Sequence, residues 1–487
     1  YLHMHRRNSK KWVSIRLALT YTGMTFLVFS VVTIVVLFML GFRFDLGNGQ
    51  IEQGALVQFG STPSGAAVAI DGLALNARTP AKATIKAGSH EFSIWRDGYD
   101  TWQKTVDVKP GALTWLNYAL LVPKKLDVEP VINYENIVSS LASPEGRSIL
   151  VQTNSAVPSF SLVDITSDKV VSVDLTIDST IYSAGTSNVF TPVKWDDGGR
   201  YVLIKHDFDG KTEWLVMDTQ AIAASKNITR LFDFTITDIE FSGTSGNEYY
   251  VLGSKDVRKL DLAAGTISRP LISDVNEFSV YTSNIITYVA NDKQKPNERV
   301  VGLYREGDDA PHVLKVLDGQ SSVKLHVATS KYFNENYIAI SEGSNVTIYN
   351  GSYPTTASDD VTGLKVFAEF TVSRDVDILQ FSPTGQYVFV QNGSNFASYD
   401  MEYQVYAASK INGNGSARQL KWLDDNYIWS DLDGKLTIRE FDGANVHTIN
   451  TVLAGQDVTL THNGRWLYSF AKTDAGVSLQ RVRMILP

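Results

Sequence analysis

At 487 residues, with 44% hydrophobic and 11% aromatic content, the chain is long enough for more than one packed domain. It has no cysteine, which excludes disulfides, thiolate metal sites and cysteine nucleophiles. The net charge is −8, yet residues 1–40 hold five bases and no acid; removing those five leaves −13 on the rest, a sign that argues against nucleic acid as a partner.

The chain opens on a basic tail, residues 1–16, which carries Arg6, Arg7, Lys10, Lys11 and Arg16. Residues 17–40, LALTYTGMTFLVFSVVTIVVLFML, follow without one charge. As a helix they would span about 36 Å, enough for a ~30 Å hydrocarbon core with some tilt. A cleaved signal has a shorter apolar region that ends on an Ala-x-Ala-like site. GFRFDLGNG offers none, so the run reads as an uncleaved signal-anchor. Basic flanks stay on the cytoplasmic side, which puts the N-terminus inside and the bulk of the chain outside the cell membrane. The lipid bilayer is thus the first partner expected, through residues 17–40.

After a linker at 41–54, short alternating strands broken by turn residues fill 55–122. ALVQFGS alternates, TPSG turns, AAVAID is a strand and DG turns again. Pro63 and Pro80 fix φ, and several glycines permit positive φ. About six or seven strands read as a small antiparallel β-sandwich. The order STPSGAAVAIDG, TP, KAGSHEFSIWRDGY and VKPG resembles the PEGA domain, with Pro63-Ser64-Gly65-Ala66 in the place of the tetrapeptide that names that family. The resemblance implies a prokaryotic envelope or surface protein, with the domain as spacer or interaction module. Trp95, Trp102 and Trp115 stand at strand positions that read as core.

From 123 to 487 the chain repeats itself. LASPEGRSILVQ from 141, VKWDDGGRYVLIK from 193, LQFSPTGQYVFVQ from 379, LKWLDDNYIWSD from 420 and LTHNGRWLYSF from 460 share one plan: strand, polar turn, strand. Weaker copies start at 239, 280 and 331. A third strand follows each, and usually a fourth, such as ITRLFDF from 228. Four antiparallel strands per unit of about 40–53 residues is the pattern of a β-propeller blade. The fold class is therefore mainly β, with an eight-bladed propeller expected; seven blades or a pair of sandwiches are the alternatives. The last unit supplies three strands, and KLDVEPVI at 125–132 is a spare strand that can complete it and close the ring. The SPEG and SPTG turns at 143–146 and 382–385 resemble those of WD-like propellers typified by the Tol-system periplasmic protein.

Reactive constellations are not visible. Asp207–Gly210, Asp431–Gly434 and Glu440–Gly443 are D/E-x-D-G tetrads, but they fall where hairpin turns are expected and lack the further ligands of a calcium loop. There is no G-x-S-x-G elbow, H-E-x-x-H pair or P-loop, so no catalytic residue, metal ligand or cofactor is assigned. Trp195 and Trp422 hold equivalent places in VKWDDG and LKWLDD, where they either pack between blades or rim a face and stack a ligand. The reading that results is a non-enzymatic, membrane-anchored scaffold of the cell envelope, whose propeller binds an envelope protein or polysaccharide. Its rivals are a propeller lyase or hydrolase with a central-channel site, and a purely architectural part of the cell coat.

Overall fold

The computed structural model describes residues 9–39, 42–44, 51–232, 234–291, 298–318, 323–353, 363–414 and 417–487. They form two compact units, 1–124 and 125–487.

The first unit begins with one helix, Ser9–Met39. It starts earlier than the expected span because nothing in SKKWVSIR breaks it, so Lys10, Lys11 and Arg16 lie on the helix rather than on a separate tail. Arg6 and Arg7 lie outside the described residues. Within it Ser14–Leu37 is long and apolar enough to cross a membrane, at a mean hydropathy of 2.0. Thr20, Thr22, Thr25 and Thr33 donate their hydroxyls to the carbonyls four residues back, which satisfies them where an apolar surrounding offers no partner. In the stretch expected as linker, Phe42–Phe44 pairs antiparallel with Ile51–Gln53.

Residues 55–120 then fold into two sheets. One orders Ala81–Ile85, Ala55–Thr62 and Leu113–Leu120; the other orders Leu73–Arg78, Ala67–Ile70, Gly88–Trp95 and Trp102–Val108. Val57, Phe59, Val68, Phe92 and Ile94 fill the space between them. The pairing of Ala55–Thr62 with Leu113–Leu120 is parallel, so the sandwich is not wholly antiparallel as expected. Four strands of the opposite sheet and Ala81–Ile85 of the same sheet intervene, and the chain returns in its original direction. Trp102 is core and Trp95 is half-buried, but Trp115 is exposed because Thr114 and Leu116 take the inward positions of that strand. The two Thr-Pro turns are stitched together: Gly65 N–H donates to Thr79 O (2.7 Å), Thr79 N–H to Ala66 O (2.8 Å) and Ala66 N–H to Thr79 Oγ1 (2.9 Å).

The second unit consists of eight four-stranded antiparallel sheets in a propeller-like arrangement. Numbered by their first strands, sheets 1 to 8 begin with Ser139–Ala142, Asn188–Trp195, Asp238–Phe241, Val275–Tyr281, Leu325–Tyr332, Ile378–Phe381, Lys421–Trp422 and Thr459–Leu460. Each of the eight repeat units falls on one sheet. A side-chain oxygen caps the turn after the first strand in sheet after sheet. Ser143 Oγ takes the Ser148 N–H (3.0 Å), Asp196 Oδ1 that of Tyr201 (2.7 Å) and Ser382 Oγ that of Tyr387 (3.1 Å). Asp424 Oδ1 does the same for Tyr427 (2.8 Å) and Thr461 Oγ1 for Trp466 (3.0 Å). Hence these five repeats share Ser, Thr or Asp at that turn and little else. Gly146 and Gly385 serve twice. Their φ values are +61° and +80°, and a Cβ would sit 2.3 Å from Leu460 O and 2.4 Å from Ser330 Oγ on the preceding sheet.

Polar links join each first strand, or a residue beside it, to the next. Trp195 Nε1 donates to Leu141 O (3.2 Å), Lys194 pairs with Glu240, and Ser242 Oγ donates to Ser283 O (2.8 Å). His326 Nδ1 lies 3.8 Å from Glu277, Lys324 pairs with Asp377, Gln380 Nε2 donates to Leu420 O (3.2 Å), and Lys421 pairs with Asp457. Asp457 then accepts the Ala142 N–H (3.0 Å) and donates its own to Ser140 Oγ (2.8 Å), which returns the series to sheet 1. The outer strand of sheet 8 is Val128–Tyr134, antiparallel to Gly476–Arg483; the spare strand is used as its position suggests.

Sheet 2 departs from expectation. ITRLFDF is not its fourth strand: Asn227 accepts the Arg230 N–H (2.8 Å) and caps a helical turn, Ile228–Leu231, which leaves Lys226–Asn227 as the fourth strand. The three D/E-x-D-G tetrads are turns, and backbone N–H groups engage their carboxylates, from a neighbouring loop for Asp209 and Asp433 and from the same turn for Asp442. Asp209 takes Thr186 and Ser187, Asp433 takes Asn414, and Asp442 takes Ala444.

Candidate functional site

Trp195 is buried in the apolar cluster between sheets 1 and 2. Trp422 is half-buried, with its ring 6.2 Å from Tyr387 and edge-on to Phe389 at 5.6 Å. Both indoles pack between sheets rather than rimming a face.

The first strands instead carry a belt of charge that the repeats did not announce: Lys194, Asp238, Glu240, Glu277, His326 and Lys421, with Lys324, Asp377 and Asp457 beside them. Protein atoms crowd the acids of sheets 3 and 4 even where water reaches them. Burial therefore pushes the carboxyls of Asp238, Glu240 and Glu277 above their ordinary values, more than Lys194 or His326 draws them down. Most of the belt meets in opposite-charge pairs. No group of three His, Cys, Asp or Glu side chains placed to hold a metal occurs among the described residues. The belt acts as a set of locks between sheets.

A second polar cluster is buried inside sheet 2. His206 is fully buried, with Nδ1 2.8 Å from Glu213 Oε1 and Nε2 3.0 Å from Asn188 Oδ1. Phe190 and Phe208 stack on its two sides at 3.9 and 4.9 Å. Glu213 also accepts from Ser183 N–H (2.7 Å), Ser183 Oγ (2.8 Å) and Asn227 Nδ2 (2.8 Å). These donors, enclosed by phenyl rings, make the cluster structural.

Among the described residues, a cavity of about 350 Å³ lies at the outer side of sheet 6, where it meets the end of sheet 5. That is within the ~300–1,000 Å³ of small-molecule pockets. Val376, Val390 and Ala397 form its apolar floor, and Ser373, Asn392 and Asn395 supply polar groups. The exposed ring of Tyr406 forms one wall. Arg374 and Lys410 stand at it on different chain segments, and neither has an ion-pair partner among the described residues. Two unpaired cations over apolar and amide groups suit a carboxylate-bearing ligand with hydroxyls to bond. Sequence reading missed them because VSRDV and AASKI carry no motif; the signal is only their proximity in the fold.

The chain is thus mainly β, with an apolar N-terminal helix, a small sandwich and four-stranded sheets in a propeller-like arrangement. Residues 56–122 match the PEGA domain, so the sandwich is a PEGA domain. No curated protein matches the chain. Among solved structures, the chain is similar to the propeller domain of Cps50 (Swd1) from Myceliophteria thermophila, at 12% identity and a TM-score of 0.40, over 65% of this chain and 97% of that one. It is also similar to an oligogalacturonate lyase in complex with manganese, at 10% identity and 0.41, over 74% and 98%. A third is the dihydro-heme d1 dehydrogenase NirN, at 13% and 0.41, over 65% and 67%. The manganese and the haem chemistry belong to those proteins.

Proposed function

We propose that this is a single-pass, membrane-anchored protein of the prokaryotic cell envelope that works by binding and not by catalysis. Its eight sheets act as an eight-bladed propeller, held outside the membrane by the same anchor as the PEGA domain, and the cavity at Arg374 and Lys410 holds an acidic polysaccharide of the envelope. The observation that carries this reading is the pair of unpartnered cations over one cavity, on a body whose net charge of −13 otherwise repels acidic ligands. The amides, the hydroxyl of Ser373 and the flat ring of Tyr406 suit sugar hydroxyls and sugar faces better than they suit a peptide backbone.

The binding test uses an alternating glucuronate and N-acetylglucosamine hexasaccharide. The full chain is expected to bind it at least tenfold more tightly than Arg374→Gln/Lys410→Gln, while a neutral hexasaccharide does not bind. Equal binding by the variant would remove the cavity from the account, and tighter binding of hexaglutamate would assign an acidic protein as ligand. The anchoring test is separate. Protease added to intact cells is expected to digest the chain beyond residue 54 and spare a tag fused to its N-terminus. Loss of the tag, or full protection of the body, would reverse or remove the proposed topology.

A further inference from the structure

The gap between sheets 6 and 7 collects buried hydrogen-bonding atoms that are left without partners. Strand register aligns Trp422, Ile428 and Arg439 in one row across sheet 7, and Phe389 with Ser398 in one row across sheet 6. Ile428 packs with Phe389 and Phe396, and Trp422 meets Phe389 edge to face, so both rows look into this gap. Ser430, two residues beyond Ile428 on the same strand, shares that face. Trp422 Nε1, Ser398 Oγ, Ser430 Oγ and Arg439 Nε are all buried without a hydrogen-bond partner. The side chains of Ser398, Arg439 and Ser430 belong to residues only 1%, 5% and 6% exposed.

Among the described residues no acid pairs with the arginine. Asp400 lies on the same face of sheet 6, but its carboxylate is taken by Gln386 Nε2 (3.4 Å) and by the N–H groups of Glu402 (2.9 Å) and Tyr403 (3.2 Å). Burial draws the Arg439 guanidinium below its ordinary value, and no carboxylate restores it. A buried cation without a counter-charge is costly, and each orphaned donor adds to the cost. A guanidinium, an indole N–H and two hydroxyls form a set able to donate at every position, which is complementary to negative charge.

We propose that this gap binds one small inorganic anion, of the halide or phosphate kind, held by Arg439, Trp422, Ser398 and Ser430. The site is distinct from the cavity at Arg374 and Lys410 and stands or falls independently of it.

The full chain in detergent is melted at constant ionic strength in chloride, in phosphate and in gluconate, an anion too bulky for a buried gap. The expected melting temperature is at least 3 °C higher in chloride or phosphate than in gluconate, and which of the two acts identifies the ligand. Arg439→Met is expected to abolish that difference and, in gluconate, to melt no lower than the wild type, because an uncompensated charge has been removed. Ser398→Ala/Ser430→Ala is expected to shrink the difference. This double variant decides the matter if Arg439→Met does not fold, since it removes two orphaned hydroxyls and little volume. Equal melting in all three salts, or a difference that survives the substitutions, overturns the site.

Discussion

A chain beginning at residue 135 is expected to melt roughly 10 °C below one beginning at 123. The difference is the strand Val128–Tyr134. It pairs with Gly476–Arg483 along its length, and its half-buried Val131, Ile132 and Tyr134 cover Trp466, Tyr468 and Phe470. Three half-buried side chains contribute on the order of 3–4 kcal/mol. At about 2–4 °C per kcal/mol for a unit of this size or somewhat smaller, that gives the stated shift. Arg481, which lies 4.0 Å over the Trp466 ring, also loses Glu129, its partner at 2.9 Å. Equal melting of the two chains would mean that the ring does not depend on this closure.

Glu213→Ala is expected to destabilise the second unit by about 3–5 kcal/mol, because it strands several buried donors at once. His206, the Ser183 N–H and Oγ, and Asn227 Nδ2 all lose their acceptor in a place water does not reach. The pH dependence has a definite sign. Burial works to raise the Glu213 carboxyl, but the bonds from the Ser183 N–H, Asn227 and His206 outweigh it and hold the group below its ordinary value. A lowered folded value means that the carboxylate's stabilisation is complete above the ordinary glutamate range, near pH ~4.3, and is lost as the pH falls further. The gap in stability between wild type and Glu213→Gln, measured by urea unfolding, is therefore expected to stay flat from pH 8 to 5 and to close in acid. A gap that widens on acidification would contradict this assignment.

The architecture was legible where local chemistry repeats. The SPEG and SPTG turns need both a capping oxygen and a glycine pressed against the preceding sheet, so Ser143, Gly146, Ser382 and Gly385 stand out in a chain that otherwise varies. One part of the buried cluster was also legible in principle. The Asp209-Gly210 turn sets Phe208 opposite Lys211, which places His206 opposite Glu213 two steps along the strands. The cavity was not legible, because Arg374 and Lys410 lie 36 positions apart in a chain whose exposed cations all look alike. Trp195 and Trp422 were the more visible residues and turned out to fill gaps between sheets, as large rings in alternating strands commonly do.

The two strands that complete sheet 8 lie at opposite ends of the second unit; the Glu129–Arg481 bond alone spans 352 positions. A chain made from its N-terminus therefore produces one half of its last seam first and the other half last. Until the final strand has left the ribosome, seven finished sheets form an open arc, and the entropy of bringing distant ends together must be met late in folding. During that interval Val128–Tyr134 and the edge of sheet 7 are available to neighbouring chains. A truncation of the last dozen residues would not give a slightly shorter ring. It would remove the partner of Val128–Tyr134 and leave sheet 8 unjoined, so Gly476–Arg483 acts as the latch between the two ends of the unit.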